Sequence, residues 1–280
     1  MARKIVVTSG KGGVGKTTIC ANIGTKLAQM GQKVVMLDVD IGLNNLDVVM
    51  GIENKIVYDI ADVVEGKCRL KQALVQDVRC PSLYVLPSNK IFTTTKINSF
   101  NIKAIVDALG DIFDYVIIDC PAGIDSGFHR AVYSASEAIV VCTPHISSIR
   151  DADKVLTILN SYNLNSVGFV VNRVRGDLII NGQMIDVSQI CGLLKANLLG
   201  VIPDDDSIST SKSLMNQKTN GSEAFDILAK NIHLSQSVMY DYKSRYKGFW
   251  GGLKRRIRHN FQWLEGKWFL IEHKKTMLKD

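Results

Sequence analysis

Between residues 10 and 18 the chain reads Gly10-Lys11-Gly12-Gly13-Val14-Gly15-Lys16-Thr17-Thr18. A segment this rich in glycine, set between an apolar run and an amphipathic one, belongs at the turn from a strand into a helix. Lys4–Thr8 before it is short and β-branched, and Thr17–Met30 after it has helical periodicity closed by Gly31. The stretch fits G-x-x-x-x-G-K-[ST], and each fixed position has a physical task. The glycines let backbone N–H groups turn inward around a phosphate, and the helix that follows adds the positive end of its dipole. Lys16 then reaches the β- and γ-phosphates, and the Thr17 hydroxyl ligates Mg²⁺. Gly10, Lys11, Gly12, Gly13, Val14, Gly15, Lys16, Thr17 and Thr18 are therefore the expected nucleotide contacts.

Gly10-x-Gly12-x-x-Gly15 also satisfies the dinucleotide fingerprint, with Asp38 placed where a ribose-binding acid would sit. Spacing does not separate the two readings. Lys16-Thr17 does, because a dinucleotide fold has no need of it, and so does a second strand-terminal acid at Asp119. A nucleoside triphosphate is the expected ligand.

The first 242 residues alternate short apolar runs with helix-length amphipathic segments. Strands are expected at Lys4–Thr8, Lys33–Asp38, Leu83–Leu86, Tyr115–Asp119, Ala138–Cys142, Val167–Asn172 and Leu198–Ile202, and helices at Thr17–Met30, Ile97–Leu109, Ser147–Ser161 and Glu223–Tyr240. This is the pattern of an α/β fold with a doubly wound, mainly parallel sheet, whose ligands bind beyond the carboxyl ends of the strands. With 46% hydrophobic and 22% charged residues, a disordered, collagen-like or coiled-coil chain is excluded.

Net charge is +7, but residues 243–280 alone carry +8, leaving the body at −1. All three tryptophans lie in the same tail, so a boundary is expected near residue 242, between an ATPase-sized body (1–242) and a basic, aromatic appendage (243–280). From Trp250 the apolar residues Leu253, Ile257, Phe261, Leu264, Trp268 and Ile271 recur at steps of three and four, one face of a helix. With Lys254, Arg255, Arg256 and Arg258 beside that face, this describes a helix lying in an anionic membrane interface. A nucleic-acid-binding segment or a helix packed on its own domain share some of these features. Gly251-Gly252 weakens the helix, so the tail is expected to order on binding. No run approaches 18 uncharged apolar residues, and the apolar run after Met1-Ala2-Arg3-Lys4 is too short for a signal peptide, which points to the cytosol. Six scattered cysteines with no Cys-x-x-Cys pair read as reduced thiols, with no local zinc or iron–sulfur site.

Asp38 and Asp40 stand two apart at a strand end and so share a direction toward the phosphates. They are assigned to the water shell of Mg²⁺ and to the attacking water respectively, although either residue type can also cap a turn. Asp119, closing its own strand, is the expected direct Mg²⁺ carboxylate, followed by a mobile loop at Pro121-Ala122-Gly123. Lys16 already fills the phosphate role within the loop. Lys11 is then either a solvated charge or an electrophile for another subunit.

Lys11-Gly12-Gly13-Val14-Gly15-Lys16-Thr17 resembles the deviant Walker A loop of the MinD/ParA ATPases, and Asp38-Val39-Asp40 through Asp47 and Asp119-Cys120-Pro121-Ala122-Gly123-Ile124 resemble its switch segments. The resemblance, strongest to the division-site members, covers nearly all of residues 1–257. It implies a P-loop NTPase fold and an ATPase that forms a homodimer on ATP, with Lys11 acting across subunits. It implies peripheral attachment to the inner face of the cell membrane, recruitment of a MinC-like division inhibitor, and stimulation by a MinE-like topological factor. It also implies adenine contacts from Asn172-Arg173 and Pro203-Asp204, and membrane contacts from Phe249, Trp250, Leu253, Lys254, Arg255, Arg256 and Ile257. A DNA-segregation relative or a regulator of flagellar number is the alternative within the family; a near-neutral body makes nucleic acid the less expected partner.

Overall fold

The structure is a computed structural model that describes residues 2–40, 45–88, 97–210, 219–248 and 252. Among these residues eight strands form one sheet: β1 (Arg3–Thr8), β2 (Val34–Asp38), β3 (Val75–Gln76), β4 (Leu83–Leu86), β5 (Tyr115–Asp119), β6 (Glu137–Cys142), β7 (Ser166–Val174) and β8 (Asn197–Pro203). Their spatial order is β3-β4-β2-β5-β1-β6-β7-β8, and only β3 is antiparallel to its neighbour. The helices are α1 (Lys16–Gln29), α2 (Leu46–Met50), α3 (Ile60–Val64), α4 (Leu70–Ala73), α5 (Ser99–Gly110), α6 (Ser126–Tyr133), α7 (Ile146–Leu159), α8 (Gly176–Ile180), α9 (Val187–Leu194), α10 (Asp206–Thr210) and α11 (Asn220–Leu234).

The central strands are apolar runs rich in β-branched residues, as in Val34–Leu37 and Tyr115–Ile118, because parallel strands covered by helices have no wet face. Fully buried Ile5, Ile19, Ile23, Met36 and Phe128 belong to the core between the sheet and its helices. Helices α1 and α11 pack on each other, α5 lies beside α6, and α7 meets α9. Lys26 of α1, 5% exposed, links the first pair by donating to Ser222 Oγ (2.8 Å) and pairing with Asp226 (2.9 Å).

The chain runs from β1 outward to β2 and β4, returns to β5, then crosses β1 to reach β6. The order therefore reverses at β1, and the crevice at a reversal is where open sheets of this kind hold ligands. The phosphate loop occupies that place.

The chain divides into two compact units, 1–174 with 185–240 and 175–184 with 241–280. Sequence reading had put 175–184 in the body. Within the second unit, Arg175 and Asp177 form a buried two-pronged ion pair (2.9 and 2.5 Å), and Asp241 Oδ1 accepts the N–H groups of Lys243 and Ser244. Phe249, Trp250, Leu253, Lys254, Arg255, Arg256 and Ile257, expected on the membrane, lie outside the described residues, as does the rest of the tail helix.

One helix end lies far from expectation. The run expected as Glu223–Tyr240 is helical only to Leu234; Ser235 turns to φ 53° and stops it. Asn231 explains the stop: its Nδ2 donates to the carbonyls of Leu199 and Val238, and its Oδ1 accepts the Val238 N–H, folding the chain back.

Candidate nucleotide site

The loop from Gly10 to Thr18 leaves β1 and enters α1. Lys11, Gly12 and Gly13 are exposed, Val14 is buried, and Gly15, Lys16, Thr17 and Thr18 are half-buried. Gly15 caps α1 at φ 95°, a conformation that penalises any Cβ, and its carbonyl accepts the Ile19 N–H at 2.9 Å. The backbone is held from both sides. Ser9 Oγ donates to the Lys11 carbonyl (2.8 Å), and Gly10 presses so closely on the backbone of Asp151 in α7 that a Cβ would collide with it.

Asp38 and Asp119 close β2 and β5, which pair in register so that the two residues are direct neighbours. Both are buried, at 1% and 3% exposure. Asp38 Oδ1 accepts the Asp40 N–H (2.9 Å) and its Oδ2 accepts those of Asn45 and Leu46 (3.1 Å each). The residue read from sequence as part of the metal's water shell thus also organises the segment after β2. Burial raises its pKa, these N–H bonds lower it, and the charge of Asp40 raises it. Asp119 is raised further, by burial and then by the charge of Asp38, against the Thr17 hydroxyl and the Lys16 charge. Asp119 Oδ1 has no hydrogen-bond partner among the described residues.

A buried carboxylate oxygen without a donor, next to a second buried carboxylate and within reach of the Thr17 hydroxyl, is an oxygen-rich place that lacks positive charge. Mg²⁺ prefers hard oxygen ligands of this kind, so the residues present fit it. Asp40, half-buried, is raised by burial, lowered by Lys16 and raised by Asp125. Cys120, fully buried behind Asp119, has its thiol pushed up to about 12 by burial and is inert at neutral pH.

On the far side of the loop, Asn172 near the end of β7 is buried, and its Nδ2 donates to the Val14 carbonyl at 2.8 Å. Arg173 is exposed with φ 57°; Pro203 is half-buried and Asp204 exposed, its N–H bonded to the Val174 carbonyl (3.0 Å). The end of β7 therefore lies against the loop through Asn172, and the segment after β8 bonds back to β7. Sequence reading missed Asp125 and Asp151. Asp125 N-caps α6 through Gly127 and Phe128 and bears electrostatically on Asp40; an Asp two residues before a helical glycine is a cap signal that could have found it. Asp151 has no local signal, because its contact with Gly10 is made by its backbone and Cβ.

A phosphate loop at the reversal point of a mainly parallel sheet, with two buried strand-end carboxylates on its flank, defines a P-loop nucleoside triphosphatase. Residues 5–216 match the CobQ/CobB/MinD/ParA nucleotide-binding domain family. The septum site-determining protein MinD of Bacillus subtilis is 47% identical over 245 residues, covering 85% of this chain and 91% of that one. The Synechocystis MinD is 42% identical over 263 residues, covering 92% and 99%. Among solved structures, the MinC:MinD cell division complex of Aquifex aeolicus superposes with a TM-score of 0.78 at 40% identity, covering 85% of this chain and 97% of that chain. Pyrococcus horikoshii MinD complexed with Mg-ADP gives 0.75 at 29% identity, covering 85% and 100%. The chain belongs to the MinD family of septum site-determining ATPases. Its chemistry is hydrolysis of ATP with Mg²⁺, and its task is placement of the division site.

Proposed function

We propose that this ATPase works as a membrane switch: ATP joins two copies, the pair binds the inner face of the cell membrane through two tails, and hydrolysis releases it. On the membrane it recruits a MinC-like inhibitor, and a MinE-like factor triggers hydrolysis. The observation that carries the reading is the pair of loop lysines. Lys16 is half-buried and its charge bears on Asp40 and Asp119, whereas Lys11 is exposed. A cation left outside a complete phosphate loop is available to a second subunit, where it would act on transition-state charge as an arginine finger does. Aquifex MinD forms a complex with MinC, which supports an inhibitor as partner.

In this reading Lys16 holds the β- and γ-phosphates and the loop N–H groups surround them. Thr17, Asp119 and, through water, Asp38 would hold Mg²⁺, which would supply positive charge against the phosphates. Asp40 orients the attacking water. Asn172, Arg173, Pro203 and Asp204 border the base.

A single tail holds weakly, since four basic residues contribute about 1 kcal/mol each at an anionic surface and much of that is offset by ordering the segment. Two tails on one particle raise apparent affinity by about 10²- to 10⁴-fold through an effective concentration in the mM range. Co-sedimentation with anionic liposomes tests this, using ADP, ATP and a chain ending at Asp241. Binding with ATP only, lost on truncation, is expected. Equal binding with ADP and ATP refutes the avidity switch, and undiminished binding of the truncated chain refutes the tail as anchor.

A further inference from the structure

We propose that Asn172 is a positioning residue for the phosphate loop, aiming its backbone at the triphosphate whatever base is attached. The proposal rests on the reading of Gly10–Thr18 as the ATP site and adds a second duty to a residue placed beside the base.

Three observations meet at one peptide plane. Asn172 is 5% exposed, and its Nδ2 donates to the Val14 carbonyl at 2.8 Å across 158 residues of sequence. The next residue, Gly15, sits at φ 95°, and a Cβ there would fall on the same Nδ2. A trans peptide is planar, with its C=O and N–H pointing in opposite directions. Fixing the Val14 carbonyl toward Asn172 therefore fixes the Gly15 N–H away from it, in the turn where the loop bends around its ligand and just ahead of the α1 N-terminus. An N–H already aimed at a phosphate spares the ligand the cost of ordering it.

The donor needed for this bond is one of two on the amide. The other N–H and Oδ1 remain for further partners, so holding the loop and bordering the base are compatible duties. Gly10 against Asp151 supports the start of the loop in the same manner. Both supports come from the β6-α7-β7 part of the chain, which places the loop's geometry under the control of the half of the sheet that also borders the base.

The two duties predict different selectivity. Binding of MgATP, MgGTP and inorganic tripolyphosphate to the full chain is measured by competition against labelled ADP, for wild type and Asn172→Ala. Loss of one buried hydrogen bond that orders the loop should weaken base-free tripolyphosphate by about tenfold, and MgATP and MgGTP by at least as much. Loss of ATP affinity alone, with GTP and tripolyphosphate unaffected, overturns the proposal and leaves Asn172 as a reader of the base. Unchanged affinity for all three overturns both duties. Failure of wild type to bind MgATP would instead sink the site itself. A measurement on the wild type serves if the variant does not fold: in nucleotide-free protein, the Asn172 side-chain amide protons should exchange with solvent more slowly than those of exposed Asn160 and Asn165. Exchange as fast as theirs overturns the proposal.

Discussion

Asp38 and Asp119 face each other across two hydrogen-bonded strands, both buried, with five or more residues of parallel ladder driving their carboxyl groups to the same edge. Two carboxylates so placed in low dielectric cannot both ionise cheaply. Their pKa values rise to about 6 for Asp38 and about 8 for Asp119, burial being the first cause in each. The native state without metal therefore binds more protons than the unfolded chain between about pH 4 and pH 8, and its stability falls as pH rises through that window. Thermal melting of nucleotide- and Mg²⁺-free protein should show a lower Tm at pH 8 than at pH 6. Asp119→Asn should flatten the slope, and a Tm that rises across this window would contradict the paired burial.

Lys16 is the loop's cation nearest the buried acids. Lys16→Ala should weaken MgATP binding by about 10- to 100-fold, the range of a lost charge-assisted hydrogen bond. Direct titration checks it, and unchanged affinity would remove the phosphate assignment.

Lys11→Ala should bind ATP within about threefold of wild type, since the exposed side chain lies outside its own loop's complement of phosphate groups. Its hydrolysis should fall about 10³-fold or more, the scale of a trans-acting finger, and it should sediment as a monomer with ATP. A monomer with full turnover would exclude action across subunits.

Lys26 ties the helix that carries the phosphate loop to α11. Lys26→Ala strips Ser222 and Asp226 of a partner and leaves a void. Because Asp226 is about half exposed, the cost should be discounted to roughly 1–3 kcal/mol. Urea unfolding measures it, and Lys26→Met, which keeps the stem, should lose less.

The sheet was legible because parallel strands are written as uninterrupted apolar runs, and seven of the eight could be placed within a few residues. β3 could not, since Val75–Gln76 is two residues long and its pairing depends on β4. Helix α6 begins Ser126-Gly127, poor helix formers whose stability comes from the Asp125 cap and buried Phe128 rather than from propensity. The overlong final helix had a sound apolar pattern; Asn231 ended it through bonds to Leu199 and Val238, and only one of those is local. At the site, the loop motif was plain because its function is in its own backbone. The commitment of Asp38 to the Asp40, Asn45 and Leu46 N–H groups, and of Asn172 to Val14, was not, because each depends on where another segment comes to rest.

β1 lies between β5 and β6, so the first strand of the chain has both its neighbours more than a hundred residues downstream. On a ribosome the phosphate loop is made well before its partners, and it is then a glycine-rich string next to an unpaired apolar strand. At about 5–20 residues per second, roughly 8–30 s pass before Asn172 emerges to brace it. During that interval the loop lacks the brace that aims it at a phosphate, and β1 is exposed to whatever else will pair with it. The order of synthesis thus makes ATP binding a late sign of a finished molecule, and a chain truncated anywhere before β7 a candidate for chaperones rather than a slower ATPase.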